Sequence, residues 1–465
     1  MNTKGIFSAC IIFSLPFLIS GQETGDSSSI SGKDQGRMIY GFIRGGFYGD
    51  LKENTGKQFI SSAFSDLGLK IESNNRGNYK AFADLRFRYG AEFHEPVNTI
   101  NIKEAFVEYT GRKWEISAGQ KIIKWGRADF TNPTSKLNPQ NYISRSPDRE
   151  DMDMGNLLSS LKWYPSEFIN FQAVVVPLYR SSVLLIDPIP LPDNVIINQL
   201  DKIVTDKEMT SYGLKTDLHF RGIDLSASWF EGYDPIPGAS LRSFSIDLSN
   251  PAPVTTTTIQ MTPYKTRVIG FDFESTLGIV GIRGEAAWLT PVLSYKTHEF
   301  IPLPEVKWVT GMDFSSGTWR ITGEYSGKYI FDFIPAPAEP VLASEPDYNR
   351  LAELLSVPGF DIEAYVRQQV GAFNRLYNYQ LKKLYHSAAG RVETEFVYGK
   401  VLPSLFTMYN FTSHDLLVIP EIKLKPSDGL TITAGAEFYS GKKGSLFDLI
   451  DEFMSCVYIG LKVDF

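Results

Sequence analysis

From residue 37 to its last residue the chain repeats one device: a segment alternating apolar and polar residues, then a connection, with short and long connections taking turns. Strict alternation gives a strand two different faces. Short connections fall at 73–77, 111–112, 221–222, 277–278 and 426–429, while the intervening ones run long at 125–154, 177–209, 234–263, 328–388 and 439–453. Hairpins that are tight at one rim and extended at the other are the pattern of a bacterial outer-membrane barrel. A solenoid or propeller would carry an internal repeat, and the chain shows none.

Eighteen alternating segments fit, from 37–48 through 389–398 and 404–410 to 454–465. The expected fold is all-β: a transmembrane antiparallel outer-membrane β-barrel of 18 strands, 16 being the alternative count, with long extracellular loops and one helical insertion. The last segment sets Val457, Ile459, Leu461, Val463 and Phe465 on one face and Tyr458, Gly460, Lys462 and Asp464 on the other. It reads as the closing strand, and as the segment offered to the barrel-assembly machinery.

Ahead of the strands, Lys4 precedes an apolar run from Ile6 to Ile19 that ends at Ser20 and Gly21. This reads as an export signal over 1–21. Residues 22–36, rich in Ser, Gly and Asp, read as a flexible periplasmic tail, leaving 37–465 for the barrel. The apolar run is too short for a membrane anchor, and no later window holds eighteen consecutive apolar residues, so a helical membrane protein is excluded. Losing Lys4 takes the formal charge from −7 to −8, spread along the chain, which leaves no basic footprint for nucleic acid. The mature chain keeps Cys456 alone and forms no internal disulfide. With 32 Phe, 23 Tyr and 7 Trp but only 43% hydrophobic residues, the chain suits a wall with lipid on one side and water on the other.

Alternation also tells the two sides of the wall apart. Asp84, Arg86 and Arg88 share one parity, and Ala83, Leu85, Phe87 and Tyr89 share the other. A basic side chain at the lipid midplane costs roughly 2–4 kcal/mol, so the charged parity faces inward. The same reasoning nominates Arg44, Glu104, Lys121, Asp217, Arg283, Glu285, Arg320, Glu324 and Glu393 as pore-lining residues.

The loop 125–154 is a candidate constriction. It carries Arg127, Asp129, Lys136, Arg145, Asp148, Asp151 and Asp153 among Pro133, Pro139 and Pro147. Stiff corners and both charge signs suit a segment that folds into a lumen and selects by size and charge. The run from Gly119 to Tyr142 sets Gly119, Gln120, Trp125, Gly126, Asp129, Pro133, Asn138, Pro139 and Tyr142 in a G-Q-x-x-x-x-W-G and D-x-x-x-P-x-x-x-x-N-P-x-x-Y pattern. That pattern resembles the signature of a porin-like outer-membrane barrel family of largely unassigned function. The hairpin from Arg267 to Trp288 and the closing strand are similar to that family too. The resemblance implies a barrel with a porin-like role and names no substrate; the insertion over 328–388 departs from it.

Within that insertion, Val366, Val370, Phe373, Tyr377, Leu381 and Leu384 recur at three and four residues, predicting an amphipathic helix near 360–386. Its apolar face meets the inner wall, neighbouring loops, or a surface partner. The stretch 183–204, aliphatic and proline-rich, is a further candidate for capping the pore.

Signals for an enzyme are poor. The five histidines form no metal-ligand spacing, and only His219, near Asp224 and Ser226, offers even a superficial catalytic grouping. Asp148 to Asp153 are acidic enough to attract calcium but lack the spacing of a dedicated site. No cofactor or metal is expected. The reading is a passive outer-membrane channel for small solutes with both termini periplasmic, in contact with outer-membrane lipid and lipopolysaccharide, an oligomeric or surface protein partner remaining open. The alternative is a closed binding or assembly barrel that meets a surface partner through its long loops.

Overall fold

The computed structural model describes residues 37–465 except 53–57, 75–76, 143, 185–193, 201–202, 248–253 and 336–356. The expected export signal and tail, and most of the aliphatic stretch within 183–204, lie outside the described residues.

The first half of the wall is β1 (Arg37–Asp50), β2 (Ile60–Asn74), β3 (Tyr79–Glu92), β4 (Glu95–Thr110), β5 (Trp114–Lys121), β6 (Asn156–Ser166) and β7 (Ile169–Val176). A short strand outside the wall, β8 (Val195–Asn198), precedes β9 (Ser211–Phe220) and β10 (Ile223–Tyr233). Two more strands outside the wall follow, β11 (Gly238–Asp247) and β12 (Val254–Thr262), and then β13 (Lys265–Leu277), β14 (Val280–Pro291), β15 (Glu305–Ser316) and β16 (Trp319–Ile330). The helix α1 (Ile362–Tyr377) leads to β17 (Leu384–Glu393), β18 (Val401–Asn410), β19 (Leu416–Ser427) and β20 (Leu430–Ser440). A second helix, α2 (Leu446–Met454), precedes β21 (Cys456–Asp464).

Eighteen of these strands form one antiparallel sheet, and β21 pairs with β1 from Phe42↔Asp464 to Asp50↔Cys456, closing the ring. Closure removes the two lateral edges that an open sheet of this size would expose. The expected parity holds around it. Ile43, Phe47, Ile459 and Leu461 stand about half exposed on the outside, while Arg44, Asp66, Asp84, Asp272 and Glu285 are buried inside. The rim that carries the chain's ends has short turns, and the far rim has all the long connections together with short ones at 93–94 and 411–415.

Several boundaries differ from the sequence reading. The segment expected at 389–398 is displaced: β17 stops at Glu393 because Val397, Tyr398 and Gly399 take left-handed backbone angles that turn the chain. The strand expected from 101 begins at Glu95, joined to β3 by Phe93 and His94 alone, both with positive φ. The predicted helix over 360–386 is shorter, ending at Tyr377; Leu384 fits the helical spacing by coincidence and opens a strand. The connection 234–263 contains the β11–β12 hairpin, with β8 adding in parallel to β12. Against that hairpin α1 lays its apolar face: Val370, Phe373 and Tyr377 pack with Ala239, Leu241, Ile259 and Met261. This cap lies at the far rim.

Candidate functional site

The chain leaves the wall after β5 and crosses the lumen before returning at β6. Gly126, at φ +88°, makes the first corner; a Cβ there would stand 2.3 Å from both Asn132 Oδ1 and Glu285 Oε2. Two carboxylates on the opposite wall then seat the loop backbone. Glu285 accepts from the N–H groups of Arg127 (3.2 Å), Ala128 (3.4 Å) and Thr134 (2.6 Å). Glu324 accepts from those of Asp129, Phe130 (3.1 Å) and Thr131 (3.2 Å). Charged acceptors inside a wall are well suited to hold backbone donors that have no sheet to join.

Apolar packing fills the lumen around this seat. Ile123, Trp125 and Leu137 of the loop pack with Val174, Phe230 and Leu289 from the β7–β14 side, and Trp125 Nε1 donates to Gln172 at 3.0 Å. On the other side Phe130 joins Phe406, Leu417, Tyr439 and the α2 residues Leu446, Phe447 and Ile450.

The later part of the loop is held by charge against β1 to β4. Arg44, with 2% of its side chain exposed, reaches Asp66 and Asp151 at 2.7 Å each and Asp148 at 3.2 Å. Arg86 bridges Asp84 (2.6 Å) and Asp151 (3.2 Å), Arg88 donates to Asp66 at 2.8 Å, and Lys103 Nζ donates to the Glu150 carbonyl at 2.6 Å. Burial works against ionisation of Asp151, yet Arg44, Lys103 and Arg86 hold its carboxyl well below the usual carboxylate range. At the other end of the loop the balance reverses: burial outweighs the Arg283 guanidinium at 2.7 Å and pushes Asp129 up to about 6. Arg145 anchors the same loop to the end of the chain, donating to the carbonyls of Phe453 (2.9 Å) and Met454 (3.3 Å).

Space remains beside β1 to β4. A cavity of about 650 Å³ opens toward the rim of the chain's ends, lined among others by Tyr40, Arg320, Glu393, Lys423 and Lys462. A second, of about 400 Å³, lies toward the far rim, with Arg44, Arg88, Thr99 and Asn101 on one side and Leu184, Leu200 and Met261 of the cap on the other. Five side chains border both: Phe42, Arg86, Lys103, Asp151 and Asp153. The Phe42 ring carries Arg86 at 4.8 Å, Lys462 at 5.0 Å and Arg44 at 5.3 Å from its centre. The two chambers therefore have in common one aromatic face and two charges of each sign.

Of the nominated lining residues, Arg44, Asp84, Arg86, Arg88, Glu104, Arg320 and Glu393 border one or both cavities. The others occupy the lumen differently. Glu285, Glu324 and Arg283 seat the loop, Arg127 is engaged with Asp272 (2.8 Å) and Glu274 (2.9 Å), and Asp129 pairs with Arg283. Lys121 bonds Glu108, and Asp217 pairs with Lys215 at 2.9 Å. Phe42 and Lys103 were not on the sequence list. Lys103 carries a legible signal: outward apolar residues fall on even numbers at Ile100 and Ile102 and on odd numbers at Ala105 and Val107. The switch is a β-bulge, seen as a register shift opposite Asp84 and Leu85, which turns Lys103 inward.

His219 Nδ1 pairs with Asp224 at 2.9 Å, but Ser226 donates to Asp272 instead, so the three do not form a relay. Asp148, Asp151 and Asp153 face Arg44, Arg86 and Lys124. Among the described residues no group of three or more His, Cys, Asp or Glu side chains is arranged to hold a metal ion.

No family model matches the chain, and no curated protein matches it by sequence. Solved structures do. Pseudomonas aeruginosa OccK5 (OpdH) superposes with a TM-score of 0.51 at 10% identity, covering 94% of this chain and 99% of that one. The outer membrane protein opdK of the same organism gives 0.52 at 8% identity, with 92% and 98% covered. P. aeruginosa OccK2 (OpdF), solved in complex with glucuronate, gives 0.51 at 7% identity, with 92% and 97% covered. At such identities the likeness is one of fold: an 18-stranded outer-membrane-type barrel.

Proposed function

We propose that the chain is a passive outer-membrane channel through which small polar solutes diffuse along the β1–β4 wall, its termini periplasmic and its long connections outside. The observation that carries this reading is the pair of chambers, of about 650 and 400 Å³, that share Phe42, Arg86, Lys103, Asp151 and Asp153 in their linings. A border holding both signs of charge replaces part of a solute's hydration while binding it weakly enough for release. OccK2 was solved with glucuronate, a carboxylate. In this chain Arg86 at the border and Arg44 beside it are already bonded to Asp66, Asp84 and Asp151, so the border has no surplus of positive charge to favour an anion. The solute class is therefore small and polar with little preference for sign.

The outer apolar belt meets outer-membrane lipid and lipopolysaccharide, and β21, directly after which Phe465 exchanges backbone hydrogen bonds with Gly41, is the strand offered to the assembly machinery. A surface-binding barrel is less well supported, because the apolar face of α1 is covered by the chain's own β11–β12 hairpin. The test is single-channel recording of the refolded barrel in planar bilayers. Steady openings with an anion-to-cation permeability ratio within about threefold of unity are expected; a correctly folded barrel that never conducts overturns the channel reading.

A further inference from the structure

The wall is not paired throughout. β4 matches β3 along its length, from Tyr79↔Tyr109 to Glu92↔Glu95, but matches β5 only from Ala105↔Gln120 to Thr110↔Glu115. Beyond Lys121 the β5 chain has turned into the lumen, so among the described residues Glu95 to Glu104 have a strand on one side only. The lower corner of this gap is finished: the Ile102 carbonyl accepts from Gln120, and the Lys103 carbonyl accepts from Gly155 N–H at 3.1 Å. Counting by twos from Ile102, the backbone groups turned toward the gap above that corner belong to Ile100, Asn98 and Pro96.

Two physical constraints decide what the gap is. Unpaired backbone groups in hydrocarbon cost several kcal/mol each, so this edge faces water rather than lipid tails. Proline supplies no N–H, and its place on the free side of an edge strand is a known device against strand addition. The edge is thus suited to staying open rather than to receiving a partner strand. Behind it lies the outer chamber, to which Val97, Thr99 and Asn101 of the same edge contribute. Above that chamber sits the cap: Leu184 and Met261 line it and also belong to the core beneath α1.

We infer that solutes reach the outer chamber sideways, across the free edge of β4 and beneath the cap, rather than down the barrel axis. This rests on the channel reading, yet its test does not need current to flow. A cysteine placed in the chamber at Ser144 is labelled with a small water-soluble maleimide added to intact cells; Cys456 is fully buried and does not compete. The edge is then covered from outside by Asn98→Trp with Ile100→Trp, two exposed positions that leave the chamber lining unchanged, and in a separate variant the cap is enlarged by Glu363→Trp on the exposed side of α1. Heat-modifiable gel mobility reports that each barrel is folded.

Covering the edge is expected to slow labelling by about tenfold or more, and enlarging the cap is expected to leave the rate unchanged. Equal rates in the edge-covered variant, or slowing by the cap substitution instead, overturn the sideways route. Silent bilayers with an edge-dependent labelling rate would instead sink the channel reading and leave the outer chamber as a side-opening binding pocket.

Discussion

Replacing Asp151 with Asn tests the charge balance at the border between the chambers. In the native chain its carboxylate lies 2.7 Å from Arg44, 3.2 Å from Arg86 and 3.8 Å from Lys103. The substitution keeps shape and removes one negative charge, leaving Arg44 with Asp66 and Asp148, and Arg86 with Asp84. A unit charge 4 Å from a passing ion is worth about 1 kcal/mol even at the dielectric constant of water, and screening at moderate salt takes away part of that. What is left favours anions over cations at the border by roughly threefold or more, corresponding to a reversal-potential shift of roughly 20 mV in a tenfold potassium chloride gradient. The reciprocal change, Lys103→Gln, shifts the potential the other way. An Asp151→Asn barrel that folds, conducts and keeps the native reversal potential would refute the assignment of this border as the narrow part of the path.

Further outcomes follow from the loop seat. Glu324→Gln and Glu285→Gln each replace a charged acceptor of three backbone N–H groups, weakening the seat by about 1.5–3 kcal/mol per strong bond lost; limited proteolysis within 125–154 should speed up in both. Because the Asp129 pKa is raised, the seated loop binds its proton more readily than a free one, and that contribution is lost as pH rises through about 6. Current noise should therefore fall as pH drops from 8 to 5, and Asp129→Asn should be quiet throughout. Asp151 has the opposite sign: its depressed pKa means that its grip on Arg44 is present above the ordinary carboxylate range and lost only in stronger acid, so the β1–β3 side should hold at pH 5. Gly126→Ala forces a Cβ onto Asn132 and Glu285 at a left-handed corner, and should cost at least about 1–2 kcal/mol in loop seating, read as altered conductance with unchanged barrel mobility on gels.

Much of the barrel was legible because a wall between lipid and water imposes period two on every strand, and because turns of two or three residues leave little room for error. The inward face followed from the same rule at Asp84, Arg86 and Arg88. What was hidden arises where the period breaks or where partners are distant in sequence. The β11–β12 hairpin carries a register shift between Leu241 and Ser243, which scrambles its alternation into something resembling a Thr- and Ser-rich loop. The end of α1 was masked by Leu381 and Leu384, which continue the helical spacing even though Tyr379 turns left-handed and stops it. The loop seat joins Phe130 to Glu324 and Thr134 to Glu285 across 194 and 151 residues, and no local pattern announces such pairs.

The grip of Arg145 on Phe453 and Met454 ties the end of the first third of the chain to its last thirteen residues. Those carbonyls reach their places only when α2 has formed and β21 has come alongside β1. The crossing loop therefore has its full set of anchors only in the closed ring: while the ring is open, this hold is missing. Closing the wall and completing the hold on the loop that crosses it are thus one and the same step in the geometry.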